Sequence, residues 1–257
     1  MACQYGRKRN EVARAGGWTD MRKTSTIPSG HLSASRLARL AGLLSLVSLT
    51  AGISSEFGVV ATLTSDPAAA AQNIMDAEAL YRLGFIGNFV DYVCYAAATL
   101  LLYVLLKAQT PILALFGLAA SLLATAVVAS LAVQYLAPFI VAKAGTNTDA
   151  FDAAELQALS AVLLGVRGAG ANVAMVFFGF HLLFVGLAIM RSRLAPWALG
   201  ALSSLGGACF IANSVVAFAS PSTASHLIPY SLAPGILGQA LLALWLLAIG
   251  VPNRVAP

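Results

Sequence analysis

Six stretches of this chain, roughly 37–63, 81–106, 110–141, 156–190, 196–219 and 230–251, are each apolar for longer than the core of a soluble domain tolerates. A hydrocarbon layer of roughly 30 Å takes about 20 apolar residues as helix, so each stretch reads as one crossing. The 257 residues are 59% hydrophobic and 10% charged, with a mean hydropathy of +0.83, which leaves no room for a second, soluble domain. The expected fold class is all-α, a polytopic transmembrane bundle of six helices with a short outer interfacial helix. The bundle covers 32–251, between a disordered basic tail at 1–31 and a short tail at 252–257. The lipid bilayer is the partner this composition requires.

The net charge of +5 would point a soluble protein towards nucleic acid, but here position matters more than the sum. Of the 15 basic residues, all but Arg82, Lys143 and Arg167 flank one set of helix ends, and of the ten acids all but Glu11 and Asp20 lie on or near the other. That asymmetry is the positive-inside pattern; it places both termini in the cytoplasm and makes no case for nucleic acid. Met21, followed by Arg22 and Lys23, is a second candidate start, and AAAA at 68–71 resembles a cleavage site. The first apolar run is too long for an ordinary signal-peptide core.

Punctuation marks the helix ends. Asp66-Pro67 reads as cap and first turn of the short outer helix, to about Leu80, and Thr110-Pro111 opens the third crossing. Asp152 with Glu155 makes a capping box, stapled by Phe151 against Leu156. The fourth apolar pattern is about 35 residues, so its first two turns project beyond the membrane. Pro196 starts the fifth crossing, and PSTASHLIP reads as the connector to the sixth, which begins near Tyr230. Tyr81, Tyr135 and Tyr230 fall at outer interfaces and Trp197 at the inner one, as an aromatic belt requires.

Ionisable groups in hydrocarbon cost at least about 2.5–3.5 kcal/mol each, so Glu56, Asp91, Arg82, Arg167 and His181 need a reason. Counting about 20 residues outward from the basic ends puts Glu56 and Asp91 near one depth, flanked by Arg82 and Arg167, with Asn213 at a similar level. Tyr81, Gly84, Asn88, Asp91, Tyr95 and Thr99 recur at three-and-four spacing and form one polar face turned into the bundle. Arg167, Ala174 and His181 are spaced by sevens and share a side, with His181 roughly 21 Å along the axis from Arg167. Gly168, Gly170 and Ala171 beside them let another backbone approach. The candidate site is thus an outer polar layer of Glu56, Arg82, Asn88, Asp91, Arg167 and Asn213, with His181 and Gln239 as secondary candidates. It reads either as a pocket for a zwitterionic or lipid-like ligand or as a set of salt bridges that fix helix register.

Other patterns carry less. The pairs Gly84-x-x-Gly87, Gly165-x-x-Gly168 and Gly235-x-x-Gly238 read as packing notches rather than phosphate loops. Ser203-Ser204 lacks the frame of a serine nucleophile, there is no HExxH or paired-histidine metal spacing, and Cys3, Cys94 and Cys209 form no ligand set. No cofactor is expected.

AGISSEFGVV, YRLGFIGNFVDYVCYAAATLLLYVLLK, FDAAELQAL, VFFGFHLLFVGLAIMRSRLAP and GQALLALWLLAIG, in this order and spacing, resemble the bacterial membrane family DUF4386, a domain of unknown function. The resemblance covers about 36–250 and implies a six-helix bundle; it brings no activity and no site residues. Arg167 stands where the family pattern often has His, and Gln239 where it often has Glu, so the resemblance does not carry a proton relay to this chain. Two functional classes follow. One is a non-enzymatic membrane component that binds or moves a small amphiphile, or supports a membrane partner. The other is a membrane-embedded enzyme with Asp91 or Glu56 as general base and Arg82 or Arg167 as anion stabiliser. The lack of a metal or nucleophile motif favours the first, and nothing in the sequence speaks to oligomeric state.

Overall fold

In a computed structural model, residues 33–66, 69–145 and 152–251 are described; the two tails, Pro67 and Phe151 lie outside them. Lipid offers no partner for backbone N–H and C=O groups, and helices satisfy them internally. The described residues accordingly form helices and connectors alone. Helix α1 spans Ala34–Leu63, α2 Ala70–Asp76, α3 Glu78–Leu106, α4 Pro111–Gly145, α5 Ala153–Arg191, α6 Trp197–Ala219 and α7 Pro221–Ala248. Six are long and apolar enough to cross a membrane, all but α2.

The six long helices close a ring. Each packs on the next in the order α1, α3, α4, α5, α6, α7, and α7 returns to α1. Helices α1 and α5 therefore face one another across it. The proximal end of the bundle carries the start of α1 and the connectors at 107–110 and 192–196, tied together by Arg193 N–H donating to Gln109 Oε1 at 3.1 Å. The distal end carries the end of α1, the short helix α2, the start of α3, the end of α4, the start of α5 and the turn at Ser220. There α2 packs on α4 and α5, with Ile74 fully buried against Val59, Val60, Tyr81, Tyr135 and Phe139.

Several boundaries differ from the sequence reading. The short helix starts at Ala70 rather than on an Asp66 cap, and it breaks at Ala77 before α3 begins at Glu78. The sixth apolar span is Tyr230–Ala248, as expected, but the helix that carries it starts nine residues earlier at Pro221: proline at the first helical turn has φ preset and no N–H to satisfy, so PSTASHLIP is helix instead of a loop. The capping box is present, with Glu155 N–H on Asp152 Oδ1 at 2.8 Å and Asp152 N–H on Glu155 Oε2 at 2.9 Å. Helix α5, 39 residues and about 58 Å long, exceeds the hydrocarbon thickness. Tyr81 and Tyr135 are 1% and 2% exposed, so they belong to the interior and not to an aromatic belt; Tyr230 and Trp197 do stand exposed.

The bundle is packed with small residues inside and large apolar ones outside, as hydrocarbon solvent permits. Gly179 and Gly186 on α5 meet Gly200 and Gly207 on α6, two heptad-spaced pairs in backbone contact; a Cβ on Gly186 would stand 2.5 Å from the Gly200 carbonyl oxygen. Gly84, Gly87, Gly235 and Gly238 are packing notches too, whereas Gly165 and Gly168 face open space and receive no neighbour. Gly186→Ala should therefore cost about 1–3 kcal/mol in a denaturant titration in mild detergent. Gly168→Ala should instead be neutral or stabilising by up to ~1 kcal/mol, because alanine is the better helix former where nothing is crowded. Equal effects at the two positions would contradict this packing.

Candidate functional site

The polar layer is built around an irregularity in α1. The helix is α-helical over Ala34–Ile53, π-helical over Ser54–Val60 and α-helical again over Ala61–Leu63, with Ala61 N–H reaching back five residues to Glu56 O. A π turn inserts one extra residue, so side chains beyond it are rotated relative to a regular helix. Within this turn Ser55 is buried, its hydroxyl fitting the space over Gly87 of α3, and Glu56 enters the ring.

Glu56 Oε1 accepts two bonds. Arg167 Nη2 on α5 donates at 2.5 Å and Asn88 Nδ2 on α3 at 2.9 Å. The ion pair thus joins two helices that face one another across the ring, and Asn88 ties in a third. Arg167 is held further by Tyr135 of α4, whose ring centroid lies 5.1 Å from the guanidinium carbon. Tyr135 is fixed in turn: the Tyr81 hydroxyl donates to its carbonyl, its own hydroxyl donates to Tyr81 O at 3.3 Å, and the two rings stand 4.6 Å apart. The arginine side chain is 13% exposed and the glutamate 39%, so the carboxylate is the open member of the pair. Among the described residues Glu56 Oε2 has no hydrogen-bond partner.

One turn along α3, Asp91 accepts from Ser48 Oγ at 2.5 Å. It fits because residue 52 is glycine: a Cβ there would come within 2.6 Å of Asp91 Oδ2. No cation pairs with Asp91 among the described residues.

The structure does not bring all candidates together. Arg82 turns away from the layer, 56% exposed, pairing with Glu78 on its own helix at 2.6 Å and lying over Phe139. Glu78 lies four residues earlier on the same helix, a pairing that needs no second helix, so depth alone did not decide the partner of Arg82. Asn213 is buried on α6, which packs on α5 and α7, and its Oδ1 is unpaired; it makes no hydrogen bond to Glu56 or Arg167. His181 and Gln239 lie deeper, nearer the middle of the bundle, where His181 Nδ1 donates to Gly117 O of α4 at 2.9 Å. The hydroxyls of Ser203 and Ser204 are engaged with the carbonyls of Leu199 and Leu183. Among the described residues no three His, Cys, Asp or Glu side chains are grouped to hold a metal ion.

Two members of the layer gave no sequence signal as site residues: Ser48, one of many small polar residues in apolar helices, and Tyr135, read as an interface anchor. Removing one partner of a partly buried ion pair leaves the other charge uncompensated. Arg167→Ala should therefore lower stability by about 2 kcal/mol, below the 3–5 kcal/mol of a fully buried pair because Glu56 is partly solvated, and Arg167→Ala with Glu56→Gln should recover part of that loss. A double variant no more stable than Arg167→Ala alone would show that the pair is not coupled.

Residues 40–250 match the family described as Domain of unknown function (DUF4386). No curated protein and no solved structure matches the chain. The matched span takes in all but the first six residues of α1, the whole of the other five long helices, the π turn and the Glu56 network, and this multi-pass, all-helical protein therefore belongs to the DUF4386 family.

Proposed function

We propose that this protein is a non-enzymatic component of a bacterial plasma membrane that binds a small amphiphile with a cationic or zwitterionic headgroup at its outer leaflet, through Glu56. The observation that carries the reading is the open carboxylate: both protein bonds to Glu56 fall on Oε1, the side chain is partly exposed, and Oε2 is left without a partner among the described residues. Arg167 and Asn88 hold the group in one orientation, so a headgroup meets a preorganised anion rather than a mobile one. The cavity beside Asn88 is only ≈ 10 Å³, too small for a ligand of lipid size. The headgroup therefore docks from the bilayer side, its chain lying along exposed apolar residues next to these positions, Phe57 and Phe89.

Orientation follows from charge. Arg36, Arg39, Lys107, Arg191 and Arg193 belong to the proximal end, and Asp66, Asp76, Glu78, Asp152 and Glu155 to the distal end. By the positive-inside rule the proximal end is cytoplasmic, and Glu56 sits in the opposite leaflet. In intact cells, with the native cysteines replaced by serine, a membrane-impermeant maleimide should label Ser65→Cys and reach Arg193→Cys only after lysis; the reverse pattern would invert the topology.

In mild detergent, a phosphocholine amphiphile should raise the thermal midpoint of the wild-type protein more than an anionic amphiphile of equal chain length. Glu56→Gln should abolish that difference. No preference in the wild type, or one that survives in Glu56→Gln, would refute the binding role.

A further inference from the structure

The ring is not filled at its middle. A cavity with ≈ 20 Å³ of water-holding space lies there, lined among others by Ser45 of α1, Tyr95 of α3, His181 of α5, Ser203 of α6 and Gln239 of α7. That exceeds the roughly 10–15 Å³ a single water needs. His181 is 4% exposed, and its Nδ1 meets a carbonyl, which can only accept, so Nδ1 carries the proton. Nε2 of the neutral ring is then a bare acceptor, on the ring edge away from the Gly117 bond, in a side chain that lines the cavity. Among the described residues Nε2 has no hydrogen-bond partner, and neither does the Ser45 hydroxyl or the Gln239 amide. Three open polar groups on three helices thus meet at one small void, and a void of that character takes up water where an apolar one stays dry.

The void also has a polar approach from one end. Ser45 is one turn of α1 from Ser48, the donor to Asp91, and Asp91 is one turn of α3 from Tyr95, whose ring stands edge-on to His181 at 5.5 Å. Of the groups facing His181, Tyr95 on α3 is titratable; Ser45 on α1, Gly117 on α4, Ser203 on α6 and Gln239 on α7 are neutral. The charged groups lie beyond, at Asp91 and then the Glu56–Arg167 pair.

We propose that His181, Ser45 and Gln239 form a buried water-binding site, in which the cavity water donates to His181 Nε2, and that this water exchanges with the distal end by way of Asp91 and Ser48.

The test needs no ligand and is independent of amphiphile binding. In ¹⁵N-histidine-labelled, full-length protein in lipid nanodiscs, magnetisation transfer from water should reach the ring nitrogens of His181 as well as those of exposed His226, assigned through His181→Gln and His226→Gln. Asp91→Asn should slow water exchange at His181 and leave His226 unchanged, and Ala98→Leu, which fills the cavity, should abolish transfer to His181 alone. A His181 ring silent to water in the wild type would overturn the site. Exchange at His181 unaltered by Asp91→Asn would overturn the route.

Discussion

A carboxylate and a guanidinium in the same hydrocarbon slab must find each other, and in this bundle they do so across the ring. Glu56 comes from the first long helix and Arg167 from the fourth, which do not share a flank. Their pairing sets the rotation of both, and Asn88 and Tyr135 place the helices between them around the same point. The π turn of α1 belongs to this constraint, since the extra residue lets Glu56 face the ring while Ser55 seats over Gly87. A regular helix would carry the residues after the turn to different faces. Irregular helical geometry at a charged group is a common mark of a functional position.

The rest of the bundle is assembled by fit. Lipid tails are as apolar as leucine, so apolar side chains gain little by turning inward, and close approach of backbones decides which surfaces meet. The matched glycines of α5 and α6 are the plainest case, and Gly206 against Gly235 repeats it between α6 and α7. The interior that results is unusual only by the standards of soluble proteins: alanines, serines, glycines and a few polar side chains inside, phenylalanines, leucines and valines outside.

Polar groups run down the ring from the distal end: Glu56 with Arg167, Asp91 with Ser48, then His181 and Gln239 around a void that can hold water. A purely structural role would be served by the first pair alone. Asp91 lacks a cation and His181 keeps a bare nitrogen among the described residues, and both features fit a protein that handles something polar at depth rather than one that merely holds its helices together.

Hydrophobic length is a property of the chain read in one dimension, so the six crossings, the capping box at Asp152 and the inward faces of Asn88, Asp91 and Arg167 were all legible from residue order and spacing. The partner choices were not. Arg82 and Arg167 offer the same charge at similar depth, and only helix rotation sends one to Glu78 and the other to Glu56. The helical start at Pro221, the burial of Tyr81 and Tyr135, and the emptiness beside Gly168 have the same origin: each depends on which neighbouring helix lies opposite. The π turn is subtler still, for nothing in SSEFGVV breaks a helix, and the extra residue is accommodated only because Gly87 leaves room for Ser55 and Arg167 waits for Glu56. Residue order by itself determined that this chain lives in hydrocarbon and how many times it crosses; tertiary structure decided which charges meet, because pairing energy depends on distances between helices that no local pattern encodes.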